Sequence, residues 1–163
     1  MVILGIDPGL ATVGFGVIDY TGGIFKVIEY GAVLTLAGMA LEDRLLEIYK
    51  GICELCKTYK PQAVSIEELF FNSNRKTAVT VCEARGVILL AAKMCGVPIY
   101  EYTPLQIKQA VTGYGRAEKQ QIQYMVTNIL KLREVPKPDD TADALAMAIC
   151  HAYSQSSSLF GLK

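Results

Sequence analysis

The chain has 163 residues, 52% of them hydrophobic, with 16 basic and 16 acidic side chains and a formal net charge of zero. That length suits one domain able to bury its own core without a disulfide or metal staple. The balance of charge excludes an overall basic field, so any nucleic-acid surface must gather its positive charge on one face. No stretch is long enough without a charge to cross a bilayer, and the start, Met1-Val2-Ile3-Leu4-Gly5-Ile6-Asp7, lacks the basic residues and cleavage site of a signal peptide. The expectation is a soluble cytoplasmic protein with no membrane association.

In chain order, Val2 to Asp7 is a short β-branched-rich run that reads as a strand, followed by a turn at Pro8-Gly9. Val13 to Tyr20 and Phe25 to Leu34 read as two further strands, and Gly22-Gly23 between them is a hairpin signal. Leu41, Leu45, Ile48, Ile52, Leu55 and Tyr59 then fall on one helical stripe that Pro61 ends. Cys53 and Cys56 sit in the middle of that helix, not at a helix N-terminus where a thiolate is favoured. With only the adjacent Cys150 and His151 as further zinc ligands, they read as buried, reduced thiols.

Ala63 to Glu67 reads as a buried strand, and the polar stretch Asn72 to Lys76 leads into a long helix ending near Cys95, with Gly96 as its cap. Ile99 to Tyr102 is a short strand, and Thr103-Pro104 caps and starts a helix. Gly113-Tyr114-Gly115 breaks the helical pattern, which resumes from Lys119 to Leu130. Pro136 and Pro138 interrupt it again, and Asp139 caps a last helix to about Tyr153. One domain over 1–153 and a fraying serine-rich tail over 154–163 are expected. Hairpin strands followed by alternating strands and helices imply an α/β fold, a mixed sheet flanked by helices.

The acids carry the chemical signal. Asp7 ends one apolar strand, Glu67-Glu68 ends another, and Asp140 and Asp143 share one face of the last helix at a spacing of three. Such carboxylates gathered at one sheet edge repel one another unless cations are present. Oxygen ligands without Cys or His suit Mg²⁺ or Mn²⁺, and two such ions about 3.5–4 Å apart can activate water and stabilise a leaving oxygen. Each acid alone has a plainer reading: a turn at Asp7-Pro8-Gly9, a solvated strand end at Glu67-Glu68, a helix cap at Asp139-Asp140. Asp143 resists it, because Thr141, Ala142, Ala144 and Ala146 around it suggest close packing against the sheet. Gly5 to Gly9 has no G-K-[ST] after it and is no P-loop; Gly14-Phe15-Gly16 lacks the third glycine of a dinucleotide fold. These glycines suit a tight turn and close backbone approach near the metals. His151, the single histidine, falls late in the last helix, where a polar core or surface role is expected.

Together these residues resemble a known family. Gly5-Ile6-Asp7-Pro8-Gly9 with Gly14-Phe15-Gly16, then Ile66-Glu67-Glu68-Leu69-Phe70, Ala84-Arg85-Gly86 and Asp140-Thr141-Ala142-Asp143-Ala144-Leu145-Ala146 resemble, in order, the motifs of the RuvC family of crossover junction endodeoxyribonucleases. The resemblance implies a ribonuclease-H-like five-stranded mixed sheet flanked by helices, and symmetric Mg²⁺-dependent nicking of Holliday junctions by a homodimer. It implies Asp7, Glu67, Asp140 and Asp143 as the catalytic, metal-binding carboxylates, and branch-migration proteins as partners. Strand alternation lets only one of Glu67 and Glu68 face a shared site, and the resemblance selects Glu67. Phe70 matches an aromatic that probes junction bases; Lys108 and Lys119 match basic positions near the scissile DNA. Arg75, Lys76, Lys108, Arg116 and Lys119 are the candidate basic face, with core packing of Phe70 and Phe71 and ordinary surface lysines as the plain alternative. Val79, Val81, Val87, Ile88, Leu89, Leu90 and Met94 surround the axis of the long helix, so a second copy or neighbouring helices must cover it. The competing functions are another ribonuclease-H-like nuclease with a different substrate, an ATP-binding module of the actin and hexokinase type, and a non-catalytic binder of DNA structure.

Overall fold

Residue pattern and strand pairing agree at the start of the chain. β1 (Val2–Asp7) pairs antiparallel with β2 (Thr12–Thr21), which pairs antiparallel with β3 (Ile24–Leu34) across a turn where Gly22 and Gly23 take positive φ. Positive φ at both central positions is what a two-residue hairpin turn demands, and glycine meets it without strain. α1 (Leu41–Tyr59) then crosses over to β4 (Ala63–Glu67), which lies parallel beside β1. α2 (Arg75–Met94) leads to β5 (Ile99–Tyr102), parallel to β4. The computed structural model describes residues 1–68 and 75–159, and the five strands are ordered β3-β2-β1-β4-β5.

Three helices complete the chain: α3 (Pro104–Thr112), α4 (Lys119–Ile129) and α5 (Asp139–Leu159). Thr103 and Gln106 form a capping box at the start of α3, which satisfies backbone donors that would otherwise be orphaned. Successive strand residues face opposite sides of the sheet, and the two sides receive different helices. Leu4 and Ile6 of β1 and Val64 and Ile66 of β4 join Ile48, Ile52, Ala84 and Ile88 of α1 and α2. Ile3 of β1 joins Ile107, Ile122, Val126, Leu145 and Ile149 of α3, α4 and α5.

α5 lies against the sheet because side chains are missing where it crosses. A Cβ on Gly5 would stand 2.0 Å from the Ala144 carbonyl oxygen, and one on Gly14 would stand 2.1 Å from that of Asp140. Ser65 Oγ donates to the Met147 carbonyl at 2.7 Å, and Thr141 Oγ donates to the Gly31 carbonyl at 3.1 Å, tying helix to strands. Close backbone approach is thus the role of these glycines, as expected from the sequence.

One reading changes. α5 stays helical to Leu159, past the break expected after Tyr153; Ser154 Oγ donates back to the Cys150 carbonyl at 2.8 Å within it. A zinc group of Cys53, Cys56, Cys150 and His151 is ruled out, since Cys56 and Cys150 lie in cores on opposite faces of the sheet. All five cysteines are free thiols, and burial pushes Cys56 up to about 12. His151 is buried, its Nδ1 2.7 Å from the Tyr102 hydroxyl.

Candidate active site

The alternation that sorts the core also aims the acids. Asp7 shares the parity of Ile3 and Gly5, and Glu67 that of Ser65, so both leave the C-terminal ends of adjacent parallel strands on the α5 side. Gly14 is the register partner of Asp7, and its missing Cβ lets the first turn of α5 settle over it with the Asp140 Cβ 2.9 Å from where that Cβ would be. One turn further, Asp143 projects into the same space. Asp7, Glu67 and Asp143 line one cavity of about 210 Å³ together with Lys108 and Lys119. Asp140, at the helix start, does not line it, but its charge acts on both Asp7 and Asp143.

Crowding of like charge shows in the proton affinities. Burial, then the charges of Asp143, Asp140 and Glu67, push Asp7 up to about 8 from 3.8, against the pull of Lys119. Burial and the Asp143 carboxylate also raise Glu67, while Lys108 pulls it down. Asp143 is raised chiefly by burial, with Lys119 opposing. The Lys119 ammonium stands 3.2 Å from Asp143 Oδ2 and 3.4 Å from Asp139 Oδ2. Partial burial disfavours its charge, but those two carboxylates hold its proton above the ordinary lysine value.

Among the described residues, no group of three or more Asp, Glu, His or Cys side chains is already drawn together to hold a metal ion. Lys119 supplies the positive charge beside Asp143 instead. The donor set is all carboxylate, and its mutual repulsion is relieved by a cation, so it fits a hard divalent metal.

The basic candidates divide. Lys108 of α3 and Lys119 of α4 reach the cavity, and Arg116, in the loop between those helices, is exposed. Arg75 and Lys76 lie in the first turn of α2, and their side chains are outside the described ones; Phe70 lies outside the described residues. Glu68 is exposed, its backbone N–H donating to the Tyr102 carbonyl at 2.8 Å. The sequence missed Arg85: its Nε donates to the Glu67 carbonyl at 3.2 Å and its guanidinium pairs with Glu101 of β5. Its motif drew notice, but nothing in the spacing told of that contact.

A ribonuclease-H-like sheet with carboxylates at the ends of β1 and β4 and at the start of α5 defines a metal-dependent nuclease of phosphodiester chains. The family model "Crossover junction endodeoxyribonuclease RuvC" matches residues 3–151. A protein of that description from Clostridioides difficile is 60% identical over 154 residues, covering 94% of this chain and 91% of the relative. One from Alkaliphilus metalliredigens is 58% identical over 164 residues, covering both chains in full. The structure of Thermus thermophilus RuvC in complex with a Holliday junction substrate superposes with a TM-score of 0.91 at 37% identity, covering 99% of this chain and 97% of that one. The chain belongs to the RuvC family of crossover junction endodeoxyribonucleases.

Proposed function

We propose that this chain resolves Holliday junctions in DNA recombination and repair by hydrolysing one phosphodiester in each of two like strands. The observation that carries this reading is the meeting of Asp7, Glu67 and Asp143 around one cavity flanked by Lys108 and Lys119. Asp7, Glu67, Asp140 and Asp143 would hold two Mg²⁺ ions, for which Mn²⁺ could substitute. When bound, the ions supply charge stabilisation at the scissile phosphate and lower the proton affinity of water. Lys108 and Lys119 draw the backbone phosphates toward the carboxylates. Lys119 also shields Asp143 from its neighbours until a cation arrives. Phe70, Arg75, Lys76 and Arg116 extend the contact to the junction, the aromatic ring offering a face on which a splayed base stacks. The nuclease is a single domain whose last helix runs on past Tyr153, and it works in the cytoplasm as a homodimer, alongside branch-migration proteins.

The test is cleavage of a synthetic four-way junction against linear duplex and an RNA–DNA hybrid, with Mg²⁺, with Ca²⁺ and with chelator. Junction-selective paired nicks with Mg²⁺ alone are expected. Glu67→Gln should lower the cutting rate by at least 100-fold with junction binding kept within a few-fold, and Glu68→Gln should cut nearly normally. Equal cutting of the hybrid would favour a ribonuclease-H-like nuclease with another substrate. A silent Glu67→Gln beside an inactive Glu68→Gln would overturn the assignment of the acids.

A further inference from the structure

Glu67 is the last residue of β4, and its ladder to β1 ends one residue earlier, at Ile6 and Ile66. A carbonyl at the end of a ladder has no strand partner on that side and needs another donor or water. Here the donor is Arg85, in the middle of α2, whose Nε lies 3.2 Å from the Glu67 carbonyl oxygen. The rest of its guanidinium pairs with Glu101 of β5. One side chain therefore joins three elements: the end of β4, its neighbour β5, and the helix that packs over both. The Arg85 side chain is only 11% exposed, so its charge is largely withdrawn from water and has these two acceptors as its compensation. Its planar fork presents separate N–H groups to both in a fixed geometry.

Burial, Asp143 and Lys108 act directly on the Glu67 carboxyl group. Arg85 reaches the same residue through its main chain. It fixes where the Cα–Cβ bond of Glu67 points, and hence whether the carboxylate turns toward Asp7 and Asp143. We infer that Arg85, held by Glu101, is a positioning residue for the metal site, aligning Glu67 through its backbone carbonyl so that the carboxylates close on a divalent cation. This rests on the reading of Glu67 as a metal ligand.

Removing the anchor leaves the end of β4 free to swing, and ligand preorganisation falls while the DNA-facing lysines stay in place. The experiment measures Mn²⁺ alone binding to the full-length protein by calorimetry, beside junction affinity in Ca²⁺ and the melting temperature, for wild type, Arg85→Ala, Arg85→Lys, Glu101→Gln and Glu67→Gln. Arg85→Ala is expected to weaken Mn²⁺ binding by about 10-fold or more, in the 10–100-fold range found when outer partners of metal ligands are lost, with junction affinity within about threefold. Arg85→Lys, which can satisfy one acceptor, and Glu101→Gln, which keeps a neutral acceptor, should give smaller losses of the same sign.

If Arg85→Ala does not fold, Arg85→Lys and Glu101→Gln decide the matter alone. Folded variants with unchanged Mn²⁺ affinity would overturn the positioning role, whatever happened to their melting temperatures. Glu67→Gln separates the two ideas. Should it leave Mn²⁺ binding intact, the ligand assignment fails; should it weaken binding while every Arg85 and Glu101 variant binds normally, only the positioning inference fails.

Discussion

Asp7 is the residue whose ionisation is most at odds with its surroundings. The folded chain holds its proton up to about pH 8, whereas an ordinary carboxyl releases it near 3.8. Stability from this group is therefore present in full below pH 3.8 and is lost as pH rises toward and through about 8. The metal-free protein should melt at lower temperature at pH 8 than at pH 5. Each kcal/mol lost should lower the midpoint by roughly 2–4 °C for a domain of this size. Added Mg²⁺ should reverse the fall at pH 8, and Asp7→Asn, with no proton to lose, should flatten it. His151, whose burial lowers its proton affinity, contributes with the opposite sign in acid. It is present in both proteins, and Glu67 and Asp143, also raised, add to the fall with the same sign as Asp7, so the difference reports Asp7 together with its effect on them. A wild-type melting curve as flat as that of Asp7→Asn would remove the buried-acid explanation. At this scale strand parity turns Glu67 toward the cavity and leaves Glu68 exposed, which is the geometry the proposed choice of Glu67 requires.

At the scale of elements, the site depends on how closely α5 can lie on the sheet. The bare backbone at Gly14 accommodates the Asp140 carbonyl, and Asp140 and Asp143 ride on the turn that this contact seats. Gly14→Ala puts a methyl against backbone, which cannot yield as a flexible side chain does. The loss should reach about 1–3 kcal/mol, the usual cost of overpacking. Mn²⁺ affinity should fall with it, because the helix start moves away from Asp7. Gly38→Ala is the control, since an added methyl there meets nothing within 4 Å. Thermal melting and Mn²⁺ calorimetry on the two variants check this; equal behaviour would show that α5 shifts without disturbing the acids. Elements whose ends are written in local chemistry, such as the Gly22-Gly23 turn and the Thr103 capping box, sit where their residues indicate. The end of α5 does not, because no glycine or proline interrupts the backbone between Tyr153 and Leu159 and serine can return its hydroxyl to the helix.

For the whole molecule, the proposed pair of cuts needs two acid sites, and one chain carries one set of these acids. α2 buries Ala84, Ile88, Ala91 and Ala92 against its own chain, yet leaves Val79, Leu90 and Met94 more than half exposed. Exposed apolar residues along one helix mark a face for a partner, and a second copy would bring two acid sites to a substrate with near-twofold symmetry. Sedimentation should find a dimer at micromolar concentration, and Leu90→Glu should shift it to monomer. Wild-type protein mixed with excess Asp7→Asn should leave junctions nicked on one strand. A stable monomer that makes both cuts unaided would refute the dimer.

The alternation of strand and helix periods, the four acids and the glycines beside them were legible from the sequence, because periodicity and turn chemistry are local and each residue carries its own. The fold class followed from that pattern together with the family resemblance, and of the four acids Asp7, Glu67 and Asp143 line one cavity. What only the tertiary structure decided is where distant residues meet. Lys119 pairs with Asp143 across 24 positions, and Arg85 reaches the Glu67 carbonyl across 18. Cys53 and Cys56 lie on the other side of the sheet from Cys150 and His151, so a spacing that allowed a zinc site became one the fold forbids. Such contacts depend on which face of the sheet each crossover places its helix, and that is set by packing the whole core at once rather than by any segment alone.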